Sequence, residues 1–202
     1  MKWILIVAVA AFVIYLLRSS KKQKVSLKHL PEQFVVFDLE TTGLSPEKNE
    51  IIEFGAIRVH RDSVNHDTFQ QLVKPSRKVP KKITELTGIN QAMLDEEGVP
   101  IEDALRDFVA FIGDSHLVSF NSSFDMSFLQ NAAAKHSITV SNPVSCALKM
   151  ARRAWPGRKS YRLADLAKDG NLSSAGTHRA LGDCQRTLIV YAAAASKLGA
   201  IQ

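Results

Sequence analysis

The sequence has little of several residue types that mark particular protein classes. It contains only two cysteines, seven prolines and ten glycines among 202 residues. These low numbers exclude a small disulfide-stabilised domain, a collagen-like chain and a glycine- or proline-rich disordered chain. Internal repeats and low-complexity tracts are also absent. The composition, 46% hydrophobic and 23% charged, is instead typical of a folded protein, and the length corresponds to about one domain.

A cysteine-based zinc site is missing as well. Cys146 and Cys184 stand 38 positions apart, and neither has a second cysteine or a histidine at the spacing of zinc ligands. We therefore predict two free thiols, as is usual for proteins of the reducing cytoplasm.

Acidic residues are absent from the first 30 positions. The remaining 172 residues carry 20 basic and 20 acidic side chains, so the formal charge of +6 belongs entirely to the N-terminal segment. The basic character of the chain by itself therefore does not indicate a polyanionic substrate. The six basic residues of the segment are Lys2, Arg18, Lys21, Lys22, Lys24 and Lys28.

The segment also contains a long apolar run, WILIVAVAAFVIYLL at residues 3–17, which Arg18 follows directly. At ~1.5 Å of rise per residue, a helix of this length extends about 22 Å, less than the ~30 Å hydrocarbon core of a bilayer. The run is either the apolar region of a cleaved secretory signal or a short uncleaved anchor. We favour a transmembrane anchor over residues 1–18, because the small residues Ala8 and Ala10 lie inside the run and not after it.

The charges around the apolar run predict its orientation. Lys2 and Arg18 can extend towards the two membrane surfaces and make up the missing length. Five basic residues follow the run and only Lys2 precedes it, so the positive-inside rule places the C-terminal side in the cytoplasm. We expect a single-pass protein of the inner (cytoplasmic) membrane, with a basic linker over residues 19–30 beside anionic lipid headgroups and a cytoplasmic domain over residues 31–202.

The pattern of apolar residues in this domain predicts an α/β fold. Three strands come first and form an antiparallel meander; helices then alternate with a further short strand, which indicates a mixed sheet with helices on its faces. The predicted strands are residues 34–40, 51–60, 68–74 and 116–120, and the predicted helices are residues 101–114, 122–136, 144–155, 161–168 and 178–198.

Four acidic residues occupy positions where a carboxylate needs a partner. Asp38 and Glu40 are two apart at the end of an apolar strand, so their carboxylates emerge on one face. Such a pair often marks only a strand that has reached solvent, but here the tight turn Thr41-Thr42-Gly43 follows it. Asp125 lies in the first turn of a predicted helix, and Asp183 lies among leucines in the last one. Four carboxylates suit Mg²⁺ or Mn²⁺, whereas zinc prefers cysteine and histidine.

At these residues the chain resembles the DEDD 3′-to-5′ exonucleases of the ribonuclease H-like fold. FDLETTG (37–43) is similar to the first exonuclease motif of the family, FNSSFD (120–125) to the second and HRALGD (178–183) to the third. The H-x-A-x-x-D form of the third motif marks the DEDDh subgroup, which includes the proofreading subunit of bacterial DNA polymerase III, ribonuclease T and oligoribonuclease. The resemblance covers about residues 32–200 and departs from the usual pattern at Ser122-Ser123, where alanine often follows the asparagine.

The resemblance implies a mixed five-stranded sheet flanked by helices and a catalytic site that holds two divalent cations, Mg²⁺ or Mn²⁺. Asp38 would bridge both ions, Glu40 and Asp183 would complete the site on the side of the attacking water, and Asp125 would hold the second ion. His178 would act as the general base, since the ordinary pKa of histidine, ~6.5, suits removal of a proton from water.

The resemblance also implies a set of substrate contacts. The segment ITELTGI (83–89) is similar to the substrate loop of the family, where backbone groups and an apolar side chain meet the terminal base. Asn121 belongs to the second motif, and the two threonines to the turn of the first. The predicted substrate-binding residues are Thr41, Thr42, Thr87, Gly88, Ile89 and Asn121.

Two basic runs are candidates for tracking the phosphates of a strand. A run of this kind usually marks only a solvated face. Trp155 and Tyr161 lie within or next to the second run, and we favour core packing over base stacking for both. The first run is Lys74, Arg77, Lys78, Lys81 and Lys82, and the second is Arg152, Arg153, Arg158, Lys159 and Arg162.

The sequence therefore predicts a membrane-anchored, metal-dependent exonuclease that removes nucleoside monophosphates from the 3′ ends of single-stranded DNA. An exoribonuclease of the same fold is one alternative, because a single contact to the 2′-hydroxyl decides between the two sugars. A non-catalytic, membrane-tethered nucleic-acid-binding module is another, although a chain without catalysis has no need of the complete set of acidic residues. No segment that could dock a polymerase follows the last predicted helix, which disfavours a proofreading subunit. The sequence leaves the oligomeric state open.

Overall fold

The structure, a computed structural model, describes residues 30–63, 65–169 and 178–199. The predicted anchor over residues 1–18 and the predicted linker, apart from Leu30, lie outside the described residues. Within the described ranges, none of the helices has the length and apolar character needed to cross a bilayer.

Five strands form one mixed sheet. They are β1 (Gln33–Thr41), β2 (Ile51–His60), β3 (Asp67–Leu72), β4 (Leu117–Ser119) and β5 (Val144–Cys146). Their order across the sheet is β3-β2-β1-β4-β5. The first three strands are the predicted antiparallel meander, and β4 and β5 run parallel to β1. The predicted mixed five-stranded sheet of the ribonuclease H-like fold is confirmed.

Seven helices accompany the sheet in the described part of the chain. The three that precede β4 in the chain are α1 (Lys81–Thr87), α2 (Gln91–Glu97) and α3 (Ile101–Ile112). The four that follow β4 are α4 (Ser122–Lys135), α5 (Ala147–Ala154), α6 (Leu163–Asp169) and α7 (Ala180–Leu198).

Two segments differ from the sequence predictions. No helix was predicted at residues 81–97, because α1 and α2 have only seven residues each, too few to show a clear helical period. A helix was predicted from residue 144, but Val144–Cys146 is strand β5. Pairing of Val144 with Leu117 of β4 explains the difference, since the sheet partner outweighs the local pattern.

Alternation along β1 divides the core between the two faces of the sheet. Val35, Phe37 and Leu39 pack on one face in a cluster that includes side chains of α3 and α4. Phe34 and Val36 pack on the other face, against α7. Because side chains two apart share a face, Asp38 and Glu40 continue the second series and lie on the side of α7. The strand thereby directs both acids towards the helix that carries Asp183.

A close approach of α7 to β2 completes this arrangement. Gly55 pairs with Asp38 across β1 and β2. A Cβ atom at Gly55 would lie 2.5 Å from the backbone carbon of Ala180 and from the backbone nitrogen of Leu181, a distance that real Cβ atoms do not reach. The thiol of Cys184 donates a hydrogen bond to the carbonyl of Gly55 at 3.3 Å. Glycine at this position therefore lets the first turn of α7 lie directly on the sheet.

Candidate active site

Three of the four predicted metal ligands converge at the end of β1. Each of Asp38, Glu40 and Asp183 offers one carboxylate oxygen, and the three oxygens lie within 4.8 Å of one another. Glu40 and Asp183 are buried, whereas part of Asp38 reaches solvent. The site is thus a cluster of carboxylates that opens to solvent on one side.

Asp125 lies outside this group of three but close enough to influence it. It sits in the first turn of α4, and its side chain is buried. The hydroxyl of Ser119 donates a hydrogen bond to one carboxylate oxygen of Asp125. The negative charge of Asp125 raises the pKa of Asp38. The fourth carboxylate therefore comes from α4, which follows β4, the neighbour of β1 on the edge opposite β2.

Burial and mutual repulsion make Asp38, Glu40 and Asp125 weaker acids than usual. Burial raises the pKa of Asp38 well above its usual range, and the charges of Asp125 and Glu40 raise it further. Burial and then the charge of Asp183 raise the pKa of Glu40 to about 8. Burial raises the pKa of Asp125 to about 7, although hydrogen bonds to its carboxylate oppose the shift. Without a compensating cation, the cluster retains protons at neutral pH.

The donor set fits a hard divalent cation. The three converging ligand atoms are all carboxylate oxygens, which Mg²⁺ and Mn²⁺ prefer. Close cations at these acids are few in the described part of the chain. Arg186 pairs with one oxygen of Asp183, and Arg179 pairs with Glu53, with a lesser effect on Glu40. A bound divalent cation would relieve the repulsion that these groups leave uncompensated.

His178 lies directly in front of α7, with half of its side chain exposed. Its Nδ1 atom is 3.1 Å from Oδ2 of Asp183. We assign Nδ1 as the donor and the carboxylate oxygen as the acceptor of this bond, which leaves Nε2 as the ring nitrogen that can accept a proton. The backbone N–H of His178 donates to the carbonyl of Leu86 at 3.0 Å. The imidazole is therefore oriented beside the carboxylates and remains open to solvent.

The predicted substrate residues of the first two motifs support or border the site. The hydroxyl of Thr41 donates to the carbonyl of Gly43 at 2.6 Å. The hydroxyl of Thr42 accepts from the backbone N–H of Glu50 at 2.9 Å. Both side chains thus hold the turn that follows Glu40. Asn121 precedes α4, is exposed and makes no side-chain capping bond to the helix. Substrate contacts by these three residues remain predictions.

The predicted substrate loop has a buried part and an exposed part. Ile89 is fully buried in a cluster with Ile52 and Leu94, so its side chain belongs to the core and is not placed to wedge against a base. Thr87 is also buried, and its hydroxyl bonds to the backbone at both Ile83 and Ile89. Gly88 ends α1 in the left-handed conformation, with φ of 74°. Within this segment, substrate contact is therefore still predicted only for the exposed backbone around Gly88.

Trp155 and Tyr161 pack as predicted. Both lie against a small cluster of buried residues that includes Leu166 and Val190. The hydroxyl of Tyr161 donates to the carbonyl of Trp155 at 2.6 Å. The two rings therefore form part of the fold, and their predicted packing is confirmed.

The basic runs lie on the surface. All five members of the first run are exposed. In the second run Arg152, Arg153, Lys159 and Arg162 are exposed, whereas Arg158 is half-buried and pairs with Asp169 at 2.5 Å.

Both predicted free thiols are unpaired cysteines.

The sequence pattern missed three polar residues that organise the site. Ser119 binds Asp125, and the buried Glu53 forms an ion pair with the partly exposed Arg179 beside Glu40. Glu53 is an acidic residue inside the apolar strand IIEFGAIRVH, and this contrast was the available signal. Its partner stands 126 positions later in the chain, so no local pattern connects the two.

Comparison with known proteins identifies close relatives. A family model described as Exonuclease matches residues 35–191. The DNA polymerase III subunit epsilon of Aquifex aeolicus is 37% identical over 175 residues, which cover 86% of this chain and 85% of that protein. The DNA polymerase III PolC-type protein of Halalkalibacterium halodurans is 40% identical over 164 residues, which cover 79% of this chain and 11% of that protein. The chain thus spans about a tenth of the PolC-type relatives.

Solved structures show the same fold at lower identity. Escherichia coli exonuclease I in complex with a dT13 oligonucleotide has a TM-score of 0.69 at 19% identity, with 80% of this chain and 40% of that chain covered. The apo form of exonuclease I has a TM-score of 0.67 at 19% identity, with 79% of this chain and 41% of that chain covered. The family match, the relatives, the fold and the three motifs agree: the chain belongs to the DEDDh-type 3′-to-5′ exonuclease family.

Proposed function

We propose that this protein is a divalent-cation-dependent exonuclease that releases nucleoside monophosphates from the 3′ ends of single-stranded DNA. The observation that carries the proposal is the convergence of three carboxylate oxygens within 4.8 Å, with His178 bonded to one of the carboxylates at 3.1 Å. DNA is favoured over RNA because the relatives above are named as parts of DNA polymerase III, and the exonuclease I structure holds a dT13 oligonucleotide.

The residues of the chain divide the work between binding and proton transfer. Asp38, Glu40 and Asp183 would hold divalent cations, and Asp125 would contribute the fourth carboxylate. When bound, two such ions supply positive charge that stabilises the negative charge developing on the scissile phosphate. His178 takes a proton from the attacking water at Nε2, since its Nδ1 is already bonded to Asp183.

The surface lysines and arginines hold the rest of the strand. Nine of the ten residues in the two basic runs are exposed, which suits contact with phosphates, and phosphate contacts do not depend on the base sequence. Contacts of this kind release counterions on binding, so they make the affinity fall as salt rises. We propose that these runs guide a single strand towards the carboxylates.

The direct test uses the full-length protein with Mg²⁺ and a linear single strand of DNA labelled at either end. We expect labelled mononucleotide to appear first from the 3′-labelled strand, at a rate that falls with salt when substrate is limiting. A blunt duplex should react more slowly, because each base-pair step costs about 1 to 2 kcal/mol to open. Product first from the 5′ end, or cleavage of a closed circular strand, contradicts the proposal. Faster release from RNA of the same sequence would assign the exoribonuclease alternative.

The roles of individual side chains are tested by substitution. Asp38→Asn and Asp183→Asn should abolish turnover without unfolding the protein, because each removes a ligand charge. His178→Ala should slow turnover by about 10²- to 10⁴-fold, as for a lost general base. Initial rates and circular dichroism of each purified variant provide the measurement.

Asp62→Asn is the matched control, because the Asp62 side chain is 79% exposed on a turn and should leave the rate unchanged. Asp38→Asn with a rate in Mg²⁺ near that of the wild type would remove Asp38 from the metal site.

The raised pKa values predict how the metal-free protein responds to pH. Glu40 has a pKa of about 8 in the folded protein, against ~4.3 in an unfolded chain. Its protonation therefore favours folding below pH ~4.3, and this contribution is lost as pH rises through about 8. In chelator, the Tm of the wild type should fall between pH 6 and pH 9. Glu40→Gln should make this fall in Tm smaller. Each kcal/mol of stability that is lost corresponds to a fall of about 2 to 4 °C in Tm.

A divalent cation should raise the Tm of the wild type most at the alkaline end, where the carboxylates are charged. Asp62→Asn serves as the control and should follow the wild type at every pH. An equal pH dependence in the wild type and in Glu40→Gln would show that Glu40 carries no raised pKa.

We propose separately that residues 3–17 anchor the protein in the cytoplasmic membrane with its domain in the cytoplasm. The support comes from the sequence: fifteen apolar residues stand between Lys2 and Arg18, and four lysines follow within ten further positions. The full-length protein should sediment with membranes and resist carbonate extraction, and protease outside intact cells should leave it uncut. Recovery of a shortened soluble form outside the cytoplasm would establish a cleaved signal instead.

A further inference from the structure

Glu53 is a fully buried carboxylate whose charge is compensated within the protein. It lies on β2 and has no exposed surface. Arg179 donates from Nη2 to Oε1 at 2.6 Å and from Nε to both oxygens at 3.0 and 3.1 Å. The backbone N–H of Ala180 donates to Oε2 at 2.9 Å, and the Gln70 amide donates to Oε1 at 2.8 Å. Glu53 therefore differs from the neighbouring carboxylates of the active site, which have few close cations.

The pair joins the sheet to the segment that carries His178. Arg179 is the next residue after His178, and Ala180 begins α7. Arg179 itself has an extended backbone, with φ of −140° and ψ of 132°. Two consecutive residues after the imidazole are thus bound to one rigid point on β2. At this point Glu53 lies directly opposite Glu40 of the active site in the β1–β2 register.

A second bond holds the same segment from the other side. The backbone N–H of His178 donates to the carbonyl of Leu86 in α1 at 3.0 Å. His178 is half exposed, so few packing contacts limit its movement. Asp183, in contrast, lies within α7, whose buried side chains pack against the sheet. The hydrogen bonds to Glu53 therefore matter most for His178 and Arg179, which precede α7 in the chain.

We propose that Glu53 and Arg179 act as a positioning pair that holds the His178 imidazole beside the active-site carboxylates. An ion pair with a buried carboxylate adds little net stability compared with apolar residues of similar shape, so the geometric effect is the larger consequence of the pair. The fork of Arg179 fixes direction as well as distance, because Nη2 donates to Oε1 while Nε donates to Oε2. The inference rests on the proposed exonuclease function, in which His178 takes the proton.

The test is a double-mutant cycle between the pair and His178. The variant Glu53→Gln/Arg179→Gln removes both charges together and so leaves no unpaired buried charge. In the otherwise wild-type protein it should lower kcat by about 10- to 100-fold, as for other groups that orient a catalytic residue, with a smaller change in KM. In a His178→Ala background the same change should lower kcat by no more than about twofold, because the group that the pair positions is already absent.

A matched control removes an equivalent ion pair elsewhere. Glu102 and Arg106 pair at 2.6 Å on the exposed surface of α3. Glu102→Gln/Arg106→Gln makes the same change in charge and should leave kcat unchanged in both backgrounds. If the Glu53→Gln/Arg179→Gln protein is not folded, Arg179→Lys takes its place, since it keeps the charge but loses the bidentate fork.

A second readout separates positioning of His178 from damage to the metal ligands. The rise in Tm that Mn²⁺ causes should be the same in Glu53→Gln/Arg179→Gln as in the wild type, because the four carboxylates are intact. Three results would overturn the positioning role and leave the exonuclease proposal standing. They are an equal loss of kcat in both backgrounds, no loss of kcat in either, and loss of the rise in Tm that Mn²⁺ causes. A wild-type protein that releases no mononucleotide would overturn both.

Discussion

Repulsion among closely spaced carboxylates, two of them buried, is the constraint on which the rest of this structure depends. Asp38, Glu40 and Asp183 place oxygens within 4.8 Å of one another, and burial raises the pKa of Glu40 to about 8. A fold that only had to be stable would not collect these groups, because each loses hydration and gains a like-charged neighbour. The arrangement would gain stability if a divalent cation occupied it. The proposed metal-binding role and the electrostatic strain are thus two aspects of one feature.

The fold assembles this cluster with few special elements. Alternation along β1 sends Asp38 and Glu40 to the same face as Phe34 and Val36, where α7 packs. The absence of a side chain at Gly55 lets the first turn of α7, with Asp183, lie on the sheet. These features follow from strand geometry and from a single glycine. The ends of β1 and β4 and the beginnings of α4 and α7 thereby meet at one point.

The sequence predicted the residues of the site better than their surroundings. Asp38 and Glu40 are two apart on β1, so strand alternation brings them to one face. The resemblance to the DEDDh exonucleases identified His178 and Asp183 through a short local motif. Strand β5 was missed because its three residues depend on pairing with β4. The burial of Ile89 and the pairing of Glu53 with Arg179 involve contacts between distant parts of the chain. Local patterns carry no information about such contacts.

The central claim is that the carboxylate cluster retains protons until a divalent cation displaces them. Calorimetric titration of the wild-type protein with Mg²⁺ at pH 7.5, in two buffers of different ionisation enthalpy, measures this directly. The pKa values of about 8 for Glu40 and about 7 for Asp125 predict net proton release on binding, and this release should diminish in Glu40→Gln. Binding of Mg²⁺ without proton release, or no binding at all, would contradict the account.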